Sequence, residues 1–449
     1  MKIAKFGGSS LASAEQVRKV CDIVSSDPTR RLVVVSAPGK RDDDDIKVTD
    51  LLIAAAEATL VNRSGEGEMQ RVVNRFAELV DGLGMGEKAL APIREDLQTR
   101  LHGGTEDEGL FMDTLKAAGE DNCARLVAQY LRSQGVEAHY ADPGKVGMIL
   151  SEEAGKARVL KASYGKLRSL RDRPGITILP GFFGFTRTGK LVTFPRGGSD
   201  ITGAILAAAV DAELYENFSD VDSVFAANPK LVDSPRAVQE ITYREMRELS
   251  YAGFSVIHDE ALQPVFHAGI PVAVKNTNNP AASGTLIVPN RTVGDDPVVG
   301  IAANGGFCSV YVSKYLMNRE VGFGRRLLEV FEDEAIPFEH TPSGIDNLSV
   351  ILREEYFDHA TEDRVLRRVR TELEADEVSV ERGLALVMVV GEGMRHTIGL
   401  AGKAATAFAD AGVNLEMINQ GSSEVSMMFG VKEEDAKAAV GSLYNAFFP

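Results

Sequence analysis

The stretch of sequence that decides the fold is KIAKFGGSS, which runs from Lys2 to Ser10. Its first five residues predict a short strand, and the glycine pair Gly7-Gly8 follows that strand directly. Because glycine carries no side chain, such a pair lets backbone N–H groups approach phosphate oxygens closely. Lys5, near the end of the strand, adds a mobile positive charge suited to phosphate. The stretch predicts a phosphate-binding turn, although an ordinary glycine-rich turn explains it equally well when it is taken alone.

Strands and helices are predicted to alternate after this turn. A helix begins at Ser13, where Gln16 completes a capping box. RLVVVSA, residues 31–37, is a nearly continuous β-branched run, typical of a strand buried on both faces. The other predicted strands are residues 176–179, 191–194 and 271–275, and the other predicted helices are residues 49–60 and 122–133. This alternation indicates an α/β domain with a mainly parallel sheet.

A second polar cluster is PRGGSD, Pro195 to Asp200, which lies between a predicted strand and a predicted helix. It combines a cation, a glycine pair, a hydroxyl and a carboxylate, which suits a site that orients anions at close range. A solvated turn would explain the polarity of the cluster but not its glycine pair. A third segment, YENFSDVDSVFAANPK from Tyr215 to Lys230, is by itself more typical of a surface loop than of a site.

The composition argues against several classes of function. The chain has 449 residues, 44% of them hydrophobic, which is enough for two or three globular domains. A formal net charge of -16 argues against nucleic acid as a partner. The three cysteines, Cys21, Cys123 and Cys308, form no disulfide or zinc pattern and favour a reducing cytoplasm. No apolar stretch reaches the roughly 18 residues of a membrane span. The acidic run at residues 42–45 is predicted to be a solvated loop.

The C-terminal part contains an internal repeat. Residues 288–306 are rich in Pro, Gly, Asn and Asp, which predicts a domain boundary. Beyond it, the nine residues from Ile336 align without a gap with those from Val413, an offset of 77 residues (413 − 336). At that offset a strand at 307–312 matches one at 384–389. Each unit is predicted as strand–helix–strand–strand–helix with a further closing strand. A duplicated structural module without a ligand is the alternative to a sensing module.

In this order and spacing, KFGGSS, RGGSD, SDVDSV and EMRELSYAGFSVIHDEALQPV (residues 245–265) closely resemble the aspartokinases of the amino acid kinase family. The resemblance runs from Lys2 to the C-terminus, and residues 413–429 resemble the second ACT (small-ligand regulatory) module of that family. Because the chain ends soon afterwards, it resembles the monofunctional members. The implied fold is a three-layer αβα kinase domain with a mainly parallel sheet, followed by two ACT-like βαββαβ units of the α+β class. The implied boundaries are residues 1–290 for the kinase domain, 291–306 for a linker, and 307–383 and 384–449 for the ACT-like units. An alternative is that the last strand of the second unit completes the first.

The resemblance implies ATP-dependent phosphorylation of L-aspartate to 4-phospho-L-aspartate, the first step towards lysine, threonine and methionine in the diaminopimelate pathway. Mg²⁺ is expected on the phosphates with mostly water ligands, without a protein metal motif. The acceptor carboxylate has a reference pKa of about 3.9 and needs no general base, so catalysis rests on positioning and charge neutralisation. Two alternatives stay open: a sister kinase acting on glutamate, acetylglutamate or a nucleoside monophosphate, and a non-catalytic amino-acid sensor.

The resemblance also implies roles for individual residues. Lys5 and Asp200 are the implied catalytic residues, with Asp200 orienting Lys5 or a donor near the phosphates. The implied substrate residues are Thr49, Glu120 (for the ammonium group), Arg196 (for the α-carboxylate) and Ser199. The implied nucleotide residues are Lys5, Gly7, Gly8, Ser9, Ser219, Asp220, Phe225, Lys230 and Ser255. Of these, Lys230 and Ser255 depart from the Arg and Lys that are usual there.

The ACT-like units imply feedback inhibition by lysine, with threonine as a further candidate effector. They also imply a homo-oligomer, either a dimer or a dimer of dimers, joined through these units. The implied effector residues are Phe338, Glu339, Asp346 and Asn414, with Glu339 pairing with the effector's ammonium group.

Overall fold

The computed structural model describes residues 1–61, 64–254, 256–257, 259–294, 296–421 and 425–448. The chain forms two compact units. The first unit comprises Met1–Val224, Ala237–Met246 and Ser255–Arg291, and the second comprises Phe225–Arg236, Arg247–Phe254 and Thr292–Pro449. Within the described residues, no helix combines the length and the apolar character that a membrane span requires.

The first unit is built on an eight-stranded sheet with the order β3-β4-β2-β1-β7-β9-β10-β8. Its strands are β1 (Lys2–Phe6), β2 (Arg30–Val35), β3 (Ala138–Tyr140), β4 (Ile176–Pro180), β7 (Leu214–Ser219), β8 (Glu240–Thr242), β9 (Val272–Asn276) and β10 (Thr285–Val288). The pairing of β9 with β10 is antiparallel, and the other described pairings are parallel. The mainly parallel sheet is therefore confirmed. The predicted strand at 191–194 is also present, but as β6 (Leu191–Thr193) it pairs locally with β5 (Phe183–Phe185) in a separate hairpin.

Helices cover both faces of this sheet. The helices of this unit are α1 (Ala14–Ser25), α2 (Val48–Leu60), α3 (Glu66–Gly82), α4 (Glu87–Leu101), α5 (Glu108–Ser133), α6 (Pro143–Val146), α7 (Lys161–Leu167), α8 (Gly198–Ala209) and α10 (Gln263–Ala268), and α9 (Tyr243–Tyr251) begins in this unit and ends in the second. On one face, Phe6 of β1 and Phe218 of β7 are buried in a core shared with α1 to α5. On the other face, the ring of Tyr215 packs so closely on α8 that a Cβ at Gly203 would lie 2.6 Å from it. The three-layer αβα arrangement is confirmed.

The predicted helices are present, and one of them is longer than predicted. Ser13 caps α1, and its hydroxyl accepts a hydrogen bond from the backbone N–H of Gln16 at 3.3 Å. The predicted helix at 122–133 is the second half of α5, which begins at Glu108. Gly119 weakens the helical pattern of the first half, yet the packing requires it. A Cβ at Gly119 would lie 2.7 Å from the Cβ of Ala37.

The second unit is built on a five-stranded antiparallel sheet with the order β12-β11-β13-β15-β14. The strands are β11 (Gly300–Ser313), β12 (Asn347–Arg353), β13 (Glu377–Val390), β14 (Met417–Asn419) and β15 (Ser426–Lys432). The helices are α11 (Phe323–Asp333), α12 (His359–Glu372), α13 (Leu400–Asp410) and α14 (Ala436–Phe447). Two buried clusters pack against this sheet, one with α11 and α12 and one with α13 and α14.

The internal repeat is visible in the strand register. Phe307 of β11 pairs with Leu384 of β13, and these two positions differ by the repeat offset of 77 residues (384 − 307). Strands β11 and β13 are thus equivalent strands of the two copies, and they pair antiparallel with the equivalent residues Phe307 and Leu384 opposite each other. Equivalent strands β12 and β15 flank them on either side. The sheet therefore has a local two-fold relation, which is the arrangement expected of a duplicated unit.

The structure corrects two details of the predicted division. The predicted linker at 291–306 ends inside β11, because residues 300–304 pair with residues 386–390 of β13. The glycines that suggested a linker accommodate a shift in the strand register after Asn304, with Gly306 at a positive φ of 80°. The alternative that a last strand completes the first unit is wrong for the described residues, in which α14 is the final element. Residues 377–381 close the first copy and residues 300–304 close the second.

Candidate active site

A cavity of about 710 Å³ opens in the first unit beside the C-terminal end of β1. Ligand sites of open parallel sheets lie at this edge, because segments that follow different strands converge there. The cavity is lined by the turn after β1, the loop after β2, the start of α2, the middle of α5 and the segments after β7 and β9. Representative lining residues are Gly8, Ser9, Gly39, Thr49, Glu120 and Asp220.

The glycine pair forms a tight turn that packs backbone against backbone. The N–H of Gly7 donates to the carbonyl of Phe218 at 3.1 Å, and Gly8–Leu11 make one 3₁₀ turn. The N–H of Gly39, in the loop after β2, donates to the carbonyl of Gly8 at 2.8 Å. A Cβ at Gly39 would lie 2.5 Å from the carbonyl carbon of Gly8, so no side chain fits there. This turn separates Gly8 from α1, which begins after Ser13 as predicted.

Lys5 takes part in a buried polar group of three side chains. Its Nζ lies 2.6 Å from Oδ1 of Asp200 and 3.3 Å from Oδ1 of Asn217. The amide of Asn217 donates to the same Asp200 oxygen at 2.8 Å. A Cβ at Gly7 would lie 3.5 Å from Nζ of Lys5, which places the ammonium group beside the glycine turn. Asn217 was missed from the sequence, because its pairing with Lys5 follows from the adjacency of β1 and β7 in the sheet.

The Arg-Gly-Gly-Ser-Asp segment opens α8. Gly197 adopts the left-handed conformation with φ 83° just before the helix, which explains the need for glycine. Ser199 is buried so close to Gly181 that a Cβ on that glycine would lie 2.5 Å from its hydroxyl oxygen. Arg196 is exposed, and within the described part of the chain its guanidinium makes no hydrogen bond or ion pair. The segment thus provides one free cation beside a fixed hydroxyl.

Glu120 of α5 is a buried carboxyl group that faces the cavity. It is 5% exposed, and among the described residues its Oε2 has no hydrogen-bond partner. Burial raises the pKa of Glu120 to about 8, and hydrogen bonds from the backbone of Ala37 and of Glu120 itself offset this only in part. A buried carboxyl oxygen without a hydrogen-bond partner is costly, so Oε2 of Glu120 is suited to bind a cationic group of a ligand in the cavity. Thr49, at the start of α2, lines the same cavity.

The structure brings together part of the predicted set. Gly8, Ser9, Thr49, Glu120 and Asp220 line the cavity. Lys5 and Asp200 form an ion pair beside Gly7 of the turn. The carbonyl of Ser219 accepts from Thr277 N–H at 2.9 Å at the end of β7. Phe225 and Lys230 belong to the second unit. Ser255 lies outside the described residues.

The predicted effector residues lie in the second unit, and none of them lines the cavity described there. Glu339 is already engaged, since it accepts from the hydroxyl of Tyr251 and its Oε1 lies 3.3 Å from Nε of Arg353. Phe338 is exposed, and the amide of Asn414 donates to Glu416 at 3.0 Å. Oδ1 of Asp346 is buried without a partner in the described structure. A cavity of about 330 Å³ lies nearby, lined by Ser309, Gly344, Asn347, Glu381 and Glu416 among others.

Comparison with known proteins identifies relatives along the whole chain. Residues 1–276 match the sequence profile of the amino acid kinase family, and residues 387–447 match that of the ACT domain. Aspartokinase 3 of Bacillus subtilis is 55% identical over 448 residues, covering 100% of this chain and 99% of its own. The solved aspartate kinase of Clostridium acetobutylicum is 34% identical with a TM-score of 0.86, covering 100% of both chains.

Escherichia coli aspartokinase III has been solved in two complexes that both cover 100% of each chain. The complex with aspartate and ADP gives a TM-score of 0.79 at 26% identity. The complex with lysine and aspartate gives 0.76 at 25% identity.

Proposed function

Since the chain belongs to the amino acid kinase family and, within it, to the aspartokinases, we propose that it transfers the γ-phosphoryl group of ATP to the side-chain carboxylate of L-aspartate. The products are 4-phospho-L-aspartate and ADP. One oxygen of the aspartate side chain forms a bond to the γ-phosphorus, and the bond to the leaving β-phosphate oxygen breaks. Because the attacking carboxylate is already ionised at neutral pH, the residues act by positioning and charge neutralisation.

The phosphate side of the site is the glycine turn with Lys5. The backbone of Gly8 and Ser9 lines the cavity and is available to phosphate oxygens, and Gly7 fixes the turn through its N–H on Phe218. The ammonium group of Lys5 beside Gly7 neutralises charge that develops on the transferred group. Asp200 and Asn217 hold the ammonium group of Lys5 in place, which supports an orienting role for Asp200 rather than proton abstraction.

The amino-acid side of the site is α5, α2 and the start of α8. The carboxylate of Glu120 binds the ammonium group of aspartate, and Thr49 lies beside it in the cavity wall. The free guanidinium of Arg196 binds the α-carboxylate, with the hydroxyl of Ser199 as a second donor. Holding both charged groups on the α-carbon leaves the side-chain carboxylate, at the other end of the amino acid, to face the phosphates.

The residues present also fit a magnesium ion that accompanies ATP. Such an ion takes most of its ligands from phosphate oxygens and water and needs only one or two protein carboxylates. Asp220, an exposed carboxylate in the cavity wall, is the residue that would hold it. When bound, the ion neutralises charge on the β- and γ-phosphates.

One observation carries the assignment. A single cavity joins a backbone turn suited to phosphate with a buried carboxyl group, one oxygen of which lacks a partner among the described residues. The test is ADP release by the purified full-length protein with L-aspartate, L-glutamate, N-acetylglutamate and a nucleoside monophosphate. Turnover with aspartate alone is expected. Turnover with another acceptor in its place would favour the sister-kinase alternative, and ATP binding without turnover on any acceptor would favour the sensor.

The second unit provides regulation in this proposal. Lysine inhibits the enzyme through the ACT units, threonine is a further candidate effector, and the units join subunits into a dimer or a dimer of dimers. Support comes from the duplicated sheet of the second unit and from the solved relative with bound lysine. Titration of aspartate turnover with lysine and threonine, singly and together, tests the effectors, and light scattering of the purified protein tests the assembly.

A further inference from the structure

Arg75 of α3 is a buried arginine with contacts to two walls of the cavity. It is 5% exposed, and among the described residues it is not one of those that line the cavity. Its NH1 group donates to Oδ2 of Asp45 at 2.7 Å and to the carbonyl of Ile46 at 3.1 Å. Its NH2 group donates to the carbonyl of Gly39 at 2.9 Å and to that of Ala12 at 3.3 Å. One guanidinium therefore binds both ends of the loop from Gly39 to Ile46 and the segment that follows the glycine turn.

This loop forms much of one cavity wall. Gly39, Lys40, Arg41, Asp42 and Asp43 line the cavity, and the loop leads directly into α2. The acidic run was predicted to be solvated throughout, which is wrong for its last residue, Asp45. The Asp45 carboxylate is nearly buried and accepts from Arg75 and from the side chain and backbone of Arg41. These hydrogen bonds, that from Arg41 most of all, hold the pKa of Asp45 well below its usual range.

The glycine turn and the loop differ in how they are anchored. The turn is held by the N–H of Gly7 on Phe218 and by a 2.7 Å contact between the hydroxyls of Ser10 and Thr277. The loop has fewer buried anchors among the described residues. Besides bonds among its own residues, it is held by the N–H of Gly39 on Gly8, by an exposed ion pair between Arg41 and Glu78, and by Arg75, which is the buried contact at both of its ends. Loss of the guanidinium would leave buried carbonyls unpaired and release the loop while the turn stays in place.

We propose that Arg75 is a positioning residue that holds the Gly39–Ile46 loop against the glycine turn and so sets the amino-acid side of the cavity. This inference rests on the proposed function for its substrate, because the loop adjoins Thr49 and Glu120 rather than Lys5. Arg75 acts through backbone carbonyls and Asp45 and does not touch the reacting groups. It therefore influences acceptor binding more than nucleotide binding.

The test replaces Arg75 with lysine, which keeps the charge but cannot reach four acceptors at once. Arg30→Lys is the matched control. Arg30 is also buried, and it donates two hydrogen bonds to Glu216 at 2.6 and 2.9 Å without contacting a cavity residue in the described structure. For Arg75→Lys the KM for aspartate should rise roughly tenfold or more, with the KM for ATP within about threefold of wild type. Arg30→Lys should leave both KM values near wild type, even where it lowers the melting temperature as much.

Hydrogen exchange gives a second measurement that does not require activity. In Arg75→Lys, amide exchange in the peptide covering residues 39–47 should become faster, with the peptide covering residues 5–11 unchanged. Asp45→Asn keeps the guanidinium group of Arg75, so it should increase the rate of amide exchange in the same peptide by less. This variant serves as the test if Arg75→Lys does not fold. If Arg75→Lys kept wild-type KM values and wild-type amide exchange in the loop, the inference would be refuted. Changes of the same size in the KM values and loop exchange of Arg30→Lys would also refute it. If the wild-type protein fails to phosphorylate aspartate, the proposed function is wrong, and the exchange result still decides whether Arg75 holds the loop.

Discussion

Replacing Glu120 with glutamine removes one ionisable group from the cavity while keeping the size and shape of the side chain. In the free protein this carboxyl group is buried, its Oε2 has no partner among the described residues, and burial raises its pKa from 4.5 to about 8. Between these two pH values the folded protein retains a proton that the unfolded chain has lost. The stabilising contribution of the protonated group is complete below pH 4.5 and is lost as the pH rises through about 8.

The magnitude follows from the width of that window. One pH unit corresponds to about 1.4 kcal/mol. The free energy of unfolding of the wild type should therefore fall, relative to that of Glu120→Gln, by about 3 kcal/mol between pH 5 and pH 7. Urea denaturation of both proteins across this range measures the difference, in which the other titrating groups cancel. Parallel curves for the two proteins would show that Glu120 is already ionised in the empty site, and the desolvation argument would then be wrong.

Substrate binding should reverse the preference of the Glu120 carboxyl group for its protonated form. The ammonium group of aspartate favours the carboxylate form, so binding near neutral pH should release a proton from Glu120. The KM for aspartate should accordingly decrease as the pH rises from about 6.5 towards 8, in line with the raised pKa. Glu120→Gln should lose this pH dependence. Its KM for aspartate should rise by roughly 10- to 150-fold, the equivalent of a charge-assisted hydrogen bond of about 1.5–3 kcal/mol, with little change in the KM for ATP.

A control for this experiment lies on the same helix. Asp113 of α5 is also buried, but its carboxylate accepts from the N–H groups of Thr193 and Gly155, each at 2.8 Å. Asp113→Asn should lower stability without changing the ratio of the two KM values. Equal effects of Glu120→Gln on the KM for aspartate and for ATP would contradict the role of Glu120 as the ammonium partner.

Three further variants test the other parts of the proposal. Lys5→Met should lower kcat by roughly 100-fold or more with the fold intact. Its control is Lys2→Met on the same strand, which breaks only a partly exposed ion pair with Asp27 and should leave kcat near wild type. Near-wild-type turnover of Lys5→Met would show that Lys5 does not belong to the phosphate site. Asp200→Asn keeps the side-chain shape but loses the ion pair with Lys5, so steady-state assays should show a smaller loss of kcat and an almost unchanged KM for aspartate. Glu339→Ala should leave turnover in the absence of effector intact. It should raise the lysine concentration for half inhibition by a factor within the roughly 5- to 150-fold range of typical allosteric coupling. Loss of basal activity in a folded protein would instead show that Glu339 has a structural role.

Local patterns in the sequence were sufficient for much of the fold. The glycine pair after a strand, the β-branched run at residues 31–37 and the capping box at Ser13 each depend on neighbours in the chain, and each is present in the structure. The duplication at an offset of 77 residues was also readable, because equivalent strands must keep the same apolar alternation to bury the same face. Even so, the glycines before the second sheet predicted a linker where the structure continues a strand, since composition alone cannot distinguish a register shift from a chain break.

Only the tertiary structure decided how the polar groups are paired and charged. Asn217 meets Lys5 because β1 and β7, distant in sequence, are adjacent in the sheet. Arg75 reaches Gly39 because α3 packs behind the loop, and nothing in the helical pattern marks it as different from an exposed arginine. Glu120 likewise resembles any glutamate of an amphipathic helix until the surrounding elements exclude water from it. Strand and helix patterns are local, whereas desolvation and long-range pairing depend on which elements meet, and those two properties determine the chemistry of this site.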